Sequence, residues 1–266
     1  MSSRIGPVYL LKVARELRGE TADTRPLVVA GAKELVPVLA RELRAGGDAD
    51  AVREGGSVEG AAVLVWLGPP DEDVLRRASR AKVPIVGVTD GESLPYVVDT
   101  AIVRVPAGQG FPIDEIAEAI ARQLRERGVS LAARLPVLRD AFVEELVRTA
   151  SRHNALIALG LIVPGVSMPV LTLNQIRMVL RIARMHGRET DRSLVPEVLG
   201  VVGAGFGWRT LARQLLELTP VAGWAVRSGV AYTGTRAVGE AAGRFFAGRD
   251  ASRAAGPSGE GPNLPA

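Results

Sequence analysis

Four residues near the predicted ends of strands are of types that bind ligands: Gly31, Lys33, Asp71 and Asp90. A glycine turn followed by a lysine can bind phosphate, and the acidic run that begins at Asp71 can hold a divalent cation with water. Ligands of parallel sheets bind at the carboxyl ends of the strands, where these residues are expected. Each also has a simpler interpretation, because turns explain Gly31 and Asp90 and a helix cap explains Asp71.

The turn at residues 30–34, AGAKE, differs from both common phosphate-binding motifs. It lacks the second glycine, the lysine after it and the Mg²⁺-binding hydroxyl of G-x-x-x-x-G-K-[ST], and it is not G-x-G-x-x-G. An ordinary tight turn therefore explains this segment better than a nucleotide site does. Nucleotide binding through the strand-end loops is kept as the alternative function.

The composition excludes several kinds of catalytic centre. The chain has no cysteine, which excludes thiolate nucleophiles, disulfides and zinc–cysteine sites. The two histidines, His153 and His186, lie at predicted element ends near arginines, which is typical of surface roles. We predict a non-enzymatic protein with no catalytic residues, metal or cofactor.

Alternating apolar runs and amphipathic segments in the first half of the chain predict strands and helices in a βαβα order. Continuous apolar strands separated by helices indicate a parallel sheet that is covered on both faces. We therefore predict a small Rossmann-like α/β domain. Strands are expected at 27–30, 51–53, 61–67, 83–88 and 101–105, and helices at 34–43, after Asp71 and from Pro112 to Arg127.

Four segments are predicted along the chain, and the fold class is α/β plus all-α. Residues 1–24 form an amphipathic N-terminal helix and residues 25–128 form the α/β domain. Residues 129–248 form a helical, glycine-rich, membrane-associated bundle. Residues 249–266, rich in glycine, proline and serine, form a disordered tail.

The predicted bundle contains an uncharged run of 23 residues from Asn154 to Ile176, bounded by Arg152 and Arg177. A helix of about 20 apolar residues can cross a bilayer. However, two prolines and a glycine between residues 164 and 169 predict a break. The run either spans the membrane, re-enters it or is a buried hairpin. We expect Asn174 and Gln175 to form hydrogen bonds across this hairpin.

Positive charge is concentrated beside the apolar run. Residues 1–128 contain 17 lysines and arginines against 19 acidic residues, whereas residues 129–248 contain 14 arginines against 8 acidic residues. This coupling favours an anionic lipid surface over nucleic acid as the partner. The residues predicted to form a lipid-facing stripe, with a solvated face beside acidic residues as the alternative, are Arg177, Arg181, Arg184 and Arg188.

Glycines at a spacing of four predict close contacts between helices. The pairs are Gly203 with Gly207 and Gly239 with Gly243. Such faces let helix backbones approach one another, as they do in membranes. We expect a homo-oligomer that forms through these glycine-rich helices.

The stretch from Arg152 to Phe246 resembles a known helical family, within a predicted region of about residues 131–248. The residues that carry the resemblance are Asn154-Ala155, GVSMPVLTLNQ at 165–175, Met178, Ala183, Gly187, Arg209, Leu211, Pro220, Gly223-Trp224, Thr235, Gly239 and Phe245-Phe246. The family is the bacterial domain of unknown function number 697, found in membrane-associated proteins and beside GTPase domains. The resemblance implies a helical, membrane-associated domain without established catalytic residues.

The first half is similar in layout to a degenerate GTPase-like domain, as that pairing suggests. The phosphate loop and the N-K-x-D base-reading motif are both absent, so the resemblance implies a pseudo-GTPase and a GTPase or other protein as partner. The expected location is a bacterial inner membrane with the α/β domain in the cytoplasm. There the α/β domain recognises a partner or ligand and the helical domain attaches to the membrane. A wholly soluble protein with the hairpin in its core is a further interpretation.

Overall fold

A computed structural model of the protein describes residues 23–91, 93–106, 108–160, 167–188, 200 and 223–254. In this part of the chain five strands form one parallel sheet in the order β2-β1-β3-β4-β5. The strands are β1 (Leu27–Gly31), β2 (Val52–Glu54), β3 (Val63–Leu67), β4 (Ile85–Thr89) and β5 (Ile102–Arg104). The predicted parallel α/β sheet is therefore confirmed, with each strand within two residues of its expected bounds.

The described helices flank the sheet and then form a bundle. Around the sheet lie α1 (Val36–Leu43), α2 (Glu72–Arg80) and α3 (Ile113–Leu124). After the short α4 (Val129–Arg134), the bundle consists of α5 (Arg139–Gly160), α6 (Ser167–Met185) and α7 (Gly223–Ala254). The predicted combination of an α/β domain with a helical region is confirmed.

Both faces of the sheet are buried, which explains why its strands are apolar without alternation. Side chains of successive residues point to opposite faces. Val28, Leu64 and Trp66 belong to the core on the α2 side, whereas Val29 and Val65 belong to the core on the side of α1 and α3. The sheet therefore has helices or loops over both surfaces, and its functional groups must lie at the strand ends.

The core on the α1 and α3 side continues without interruption into the helical bundle. Phe142, on α5, is fully buried, and its ring lies against Gly128 at the start of α4. A side chain at residue 128 would overlap that ring. The boundary predicted at residue 128 is thus a place where both regions pack closely.

An ion pair also joins the turn after α1 to α4. Arg134 donates from Nε to Oδ2 of Asp48 at 2.8 Å, and its Nη1 donates to the carbonyl of Thr24 at 2.9 Å. The Arg134 hydrogen bond holds the pKa of Asp48 below its ordinary value. Since Asp48 is exposed, this contact orients the two segments more than it stabilises them.

Two predicted boundaries differ from the structure or lie outside it. The tail was expected to begin at residue 249, but α7 continues to Ala254, where Asp250 forms an ion pair with Arg139 and a hydrogen bond with His186. These contacts hold the last turns of α7 against the bundle. The N-terminal helix at 1–24 lies almost entirely outside the described residues, as do residues 255–266 of the tail.

Candidate functional site

A groove of about 760 Å³ lies at the carboxyl end of the sheet. Its walls are the segments that follow β1, β3, β4 and β5, together with one face of α1. The described residues that line it are Ala32, Leu35, Val38, Glu42, Leu67, Gly68, Pro69, Val88, Thr89, Asp90, Val105, Pro106, Gly108, Gln109, Gly110 and Phe111. This volume and this position at the strand ends are typical of small-molecule sites.

The structure brings one of the four predicted ligand-binding residues to this groove. Asp90 lines it, whereas Gly31, Lys33 and Asp71 are not among its lining residues. Sequence reasoning missed Glu42, the second carboxylate in the lining. Glu42 lies near the end of α1, and no motif marked it before the packing of α1 beside the strand ends was known.

The turn between β1 and α1 has few backbone donors left for a phosphate. The amide of Ala32 donates to the carbonyl of Leu67 at 2.9 Å, and the amides of Leu35 and Val36 donate to the carbonyl of Ala32. The next residue, Pro37, has no N–H. Because phosphate loops bind through free backbone amides, this turn is unlike one.

Gly31 has a structural role in the same turn. Its φ of +118° lies in a region that side chains rarely adopt, and a Cβ there would overlap the carbonyl of Leu67. Glycine is therefore needed for β1 to approach β3 at the point where the strand order reverses.

We expect Gly31→Ala to destabilise the protein more than Gly91→Ala, by about 1–3 kcal/mol, the usual cost of overpacking. Gly91 has a similar φ of +136° but open space where its Cβ would lie, so it controls for backbone strain. Urea unfolding followed by circular dichroism measures both. Equal losses in the two variants would contradict the close approach to Leu67.

Asp71 caps α2. Its carboxylate accepts hydrogen bonds from the amides of Asp73 and Val74, each at 3.1 Å. This is the contact expected of an N-cap, and it satisfies two of the donors that a helix start leaves unpaired. The simpler interpretation of the acidic run agrees with the geometry, and in the described residues no group of three or more acidic or histidine side chains is arranged to hold a metal ion.

A buried polar network joins α5, α6 and α7. The hydroxyl of Thr235 accepts hydrogen bonds from Asn154 at 2.9 Å and Gln175 at 3.1 Å, and it donates to the carbonyl of Ala231. Asn174 donates to Oδ1 of Asn154 at 3.0 Å. The hydrogen bond expected from Asn174 across the hairpin is therefore present, whereas Gln175 bonds to Thr235 on α7. Thr235, which the sequence did not single out for this network, is its centre.

The far ends of α5 and α6 expose apolar side chains. Leu156 is 67% exposed, Leu159 is 40% exposed and Val170 is 38% exposed. All three belong to the uncharged run, whereas Asn154 and Ile176 at its limits are buried. The described part of this hairpin is thus covered at its base and open at its end. Residues 161–166, with the predicted break at Pro164 and Gly165, lie outside the described residues.

The helices within the described ranges include none that combines the length and the apolar character of a membrane span. α5 begins with a charged, amphipathic half, and α6 carries several arginines. The uncharged run is divided between these two helices, so neither contains all of it.

The predicted lipid-facing stripe on α6 is divided by burial. Arg181 is 9% exposed and Arg184 is 5% exposed, whereas Arg177 and Arg188 are half-buried. Arg181 forms an ion pair with Glu126 at 2.6 Å. The burial of Arg181 and Arg184 differs from the expectation that all four arginines face lipid. Arg181 is buried beside its acidic partner, and Arg184 also has a partner.

The two histidines have different environments. His153 is exposed, as expected, but His186 is buried, which corrects the surface role predicted for it. Nδ1 of His186 lies 2.6 Å from Oδ2 of Asp250, and the imidazole stacks on Phe246. The partners lie 64 and 60 positions away, too far along the chain for spacing to reveal them.

The predicted glycine pair at 239 and 243 packs against another helix of the same chain. A Cβ at Gly239 would overlap Val147 of α5, and a Cβ at Gly243 would lie 3.1 Å from Val143. The close helix approach that the spacing predicts therefore occurs between α7 and α5. Oligomerisation through this face would require displacing α5, and the pair at 203 and 207 lies outside the described residues.

Comparisons of the chain with family models, curated proteins and solved structures find no match. The resemblances to the helical family and to GTPase-like domains therefore stay predictions.

Proposed function

We propose that this protein is a non-enzymatic, membrane-associated protein that binds the surface of an anionic bilayer through the end of its helical hairpin. The observation that carries the proposal is the exposure of Leu156, Leu159 and Val170, which all belong to the uncharged run. Large exposed apolar side chains grouped at one end of a bundle are typical of contact with a membrane or a partner.

Attachment of the hairpin end to the membrane surface is a better interpretation than a membrane span, because the polar network and the shared core bury the base of the hairpin. Burying two leucines in the acyl region would contribute about 1.5–3 kcal/mol for each side chain. The half-buried Arg177 flanks the apolar run and would lie near the headgroups of anionic lipids. The location we propose is the cytoplasmic face of a bacterial inner membrane.

In this proposal the α/β domain recognises a partner or ligand, which binds in the groove at the strand ends. Nucleotide hydrolysis is the weaker alternative because the β1–α1 turn uses the amides of Ala32, Leu35 and Val36 within the fold. A GTPase or another protein as partner is a further proposal, which rests on the family resemblance.

The test is co-sedimentation with vesicles of phosphatidylcholine and phosphatidylglycerol. We expect the double variant Leu156→Glu with Leu159→Glu to bind more than tenfold more weakly, since about 1.4 kcal/mol is tenfold in affinity. The matched control is Val98→Glu, because Val98 is 61% exposed but belongs to the α/β domain.

Three results would contradict the proposal. They are no binding of the unsubstituted chain, equal binding of the double variant, and an equal loss in the Val98 control. A high-salt wash separates the two contributions, since charge attraction is screened by salt and apolar insertion is not.

A further inference from the structure

The groove at the strand ends contains charges of one sign. Among its described lining residues the charged side chains are Glu42 and Asp90, and both are acidic. Neither carboxylate forms an ion pair or a side-chain hydrogen bond within the described part of the chain. Two carboxylates beside a concave surface attract a cation and repel an anion.

The rest of the lining is largely apolar. Leu35, just before α1, and Val38 of α1 line the groove from one side, and Phe111 lines it after β5. Leu35 is 45% exposed, so much of its side chain offers apolar surface to the groove. A ligand that fills this space must therefore present an apolar body as well as a positive group.

Phosphate-bearing ligands do not fit these features. Lys33 is exposed and is not among the lining residues, and the amides of Ala32, Leu35 and Val36 are already bonded. An anion in the groove would lie near two carboxylates without a paired cation among the described lining residues. The charge thus selects against nucleotides and in favour of amines.

We propose that this groove binds a small organic cation, a primary amine or guanidinium on an apolar body, with Glu42 and Asp90 as the charge partners. The apolar body lies against Leu35, Val38 and Phe111. This inference deepens the recognition role given to the α/β domain in the proposed function and names the ligand class of that site.

The test is a titration of the full chain with hexylamine, which is protonated at neutral pH, followed by amide resonances of Gly108, Gln109 and Gly110. Hexanoate, which has the same chain with the opposite charge, and neutral hexanol are the comparison probes. We expect hexylamine to bind at least about tenfold more tightly than either, since hydrogen bonds between two ionised groups are stronger than neutral ones. Glu42→Gln with Asp90→Asn should remove this preference.

Asp99→Asn is the matched control, because Asp99 is an exposed carboxylate that is not among the lining residues. A circular dichroism spectrum confirms that each variant is folded. Equal binding of hexanoate, unmoved groove amides, or an unchanged preference in the double variant would each overturn the proposal. The vesicle assay reports on Leu156 and Leu159 instead, so either proposal can fail while the other holds.

Discussion

Replacing Phe142 with alanine is expected to lower the free energy of unfolding by about 3–5 kcal/mol, the range for removing a buried aromatic ring. Phe142 is fully buried, and its ring lies on Gly128, where the α/β domain meets the helical bundle. The cavity would open at the junction of both regions, since the core is continuous there. Such a loss is a large part of the stability of an ordinary domain.

The control for this prediction is Phe245→Ala. Phe245 lies on α7, is 38% exposed, and stacks against the guanidinium of Arg249 at 5.0 Å from the ring centroid. Its ring also meets the Phe246 ring edge-on at 5.1 Å between centroids, so we expect a loss of about 1–2.5 kcal/mol, from one cation–π pair and one aromatic pair. Urea denaturation measures both variants. Similar losses would show that the junction is not closely packed around Phe142.

Thr235→Val is the second large effect that we expect. Valine has nearly the shape of threonine but cannot accept the hydrogen bonds of Asn154 and Gln175. The buried amide of Asn154 loses its acceptor, and a buried donor left unpaired costs about 1–3 kcal/mol. The bundle should therefore unfold at lower denaturant concentration, although a methyl group fills the place of the buried hydroxyl.

Thr233→Val is the matched control for the network. Thr233 lies on the same helix but is exposed, and its hydroxyl bonds to the carbonyl of Gly229. We expect a change within about 0.5 kcal/mol, as for a typical surface substitution. A loss at Thr235 no greater than at Thr233 would mean that water replaces the missing acceptor and that the network is not closed.

The contrast between these two threonines shows what sequence reasoning can reach. The amides of Asn174 and Gln175 were expected to bond across the hairpin because polar groups in an apolar run need partners. Thr235 is 60 positions from Gln175, so its role as an acceptor in the network depends on how α7 packs against α5 and α6. No local pattern carries that information.

The residues predicted at the strand ends and the predicted arginine stripe show the same division. Asp90 was found from its place after an apolar strand, because parallel strands end at one edge. Glu42 became visible only when α1 was packed beside that edge. On α6, helical spacing placed four arginines in one row, but the position of Glu126 decided that Arg181 is buried.

The sequence by itself determined the order of strands and helices, the helical second half, the four-residue spacing of the glycines at 239 and 243, and the cap at Asp71. These features depend on residues within a few positions of each other, through backbone conformation, periodicity and local hydrogen bonds. The tertiary structure decided which polar groups pair, which arginines are buried and which leucines are left exposed. Those outcomes depend on contacts between residues far apart in the chain, and burial changes the energy of a charge or a hydroxyl far more than its position in a helix does.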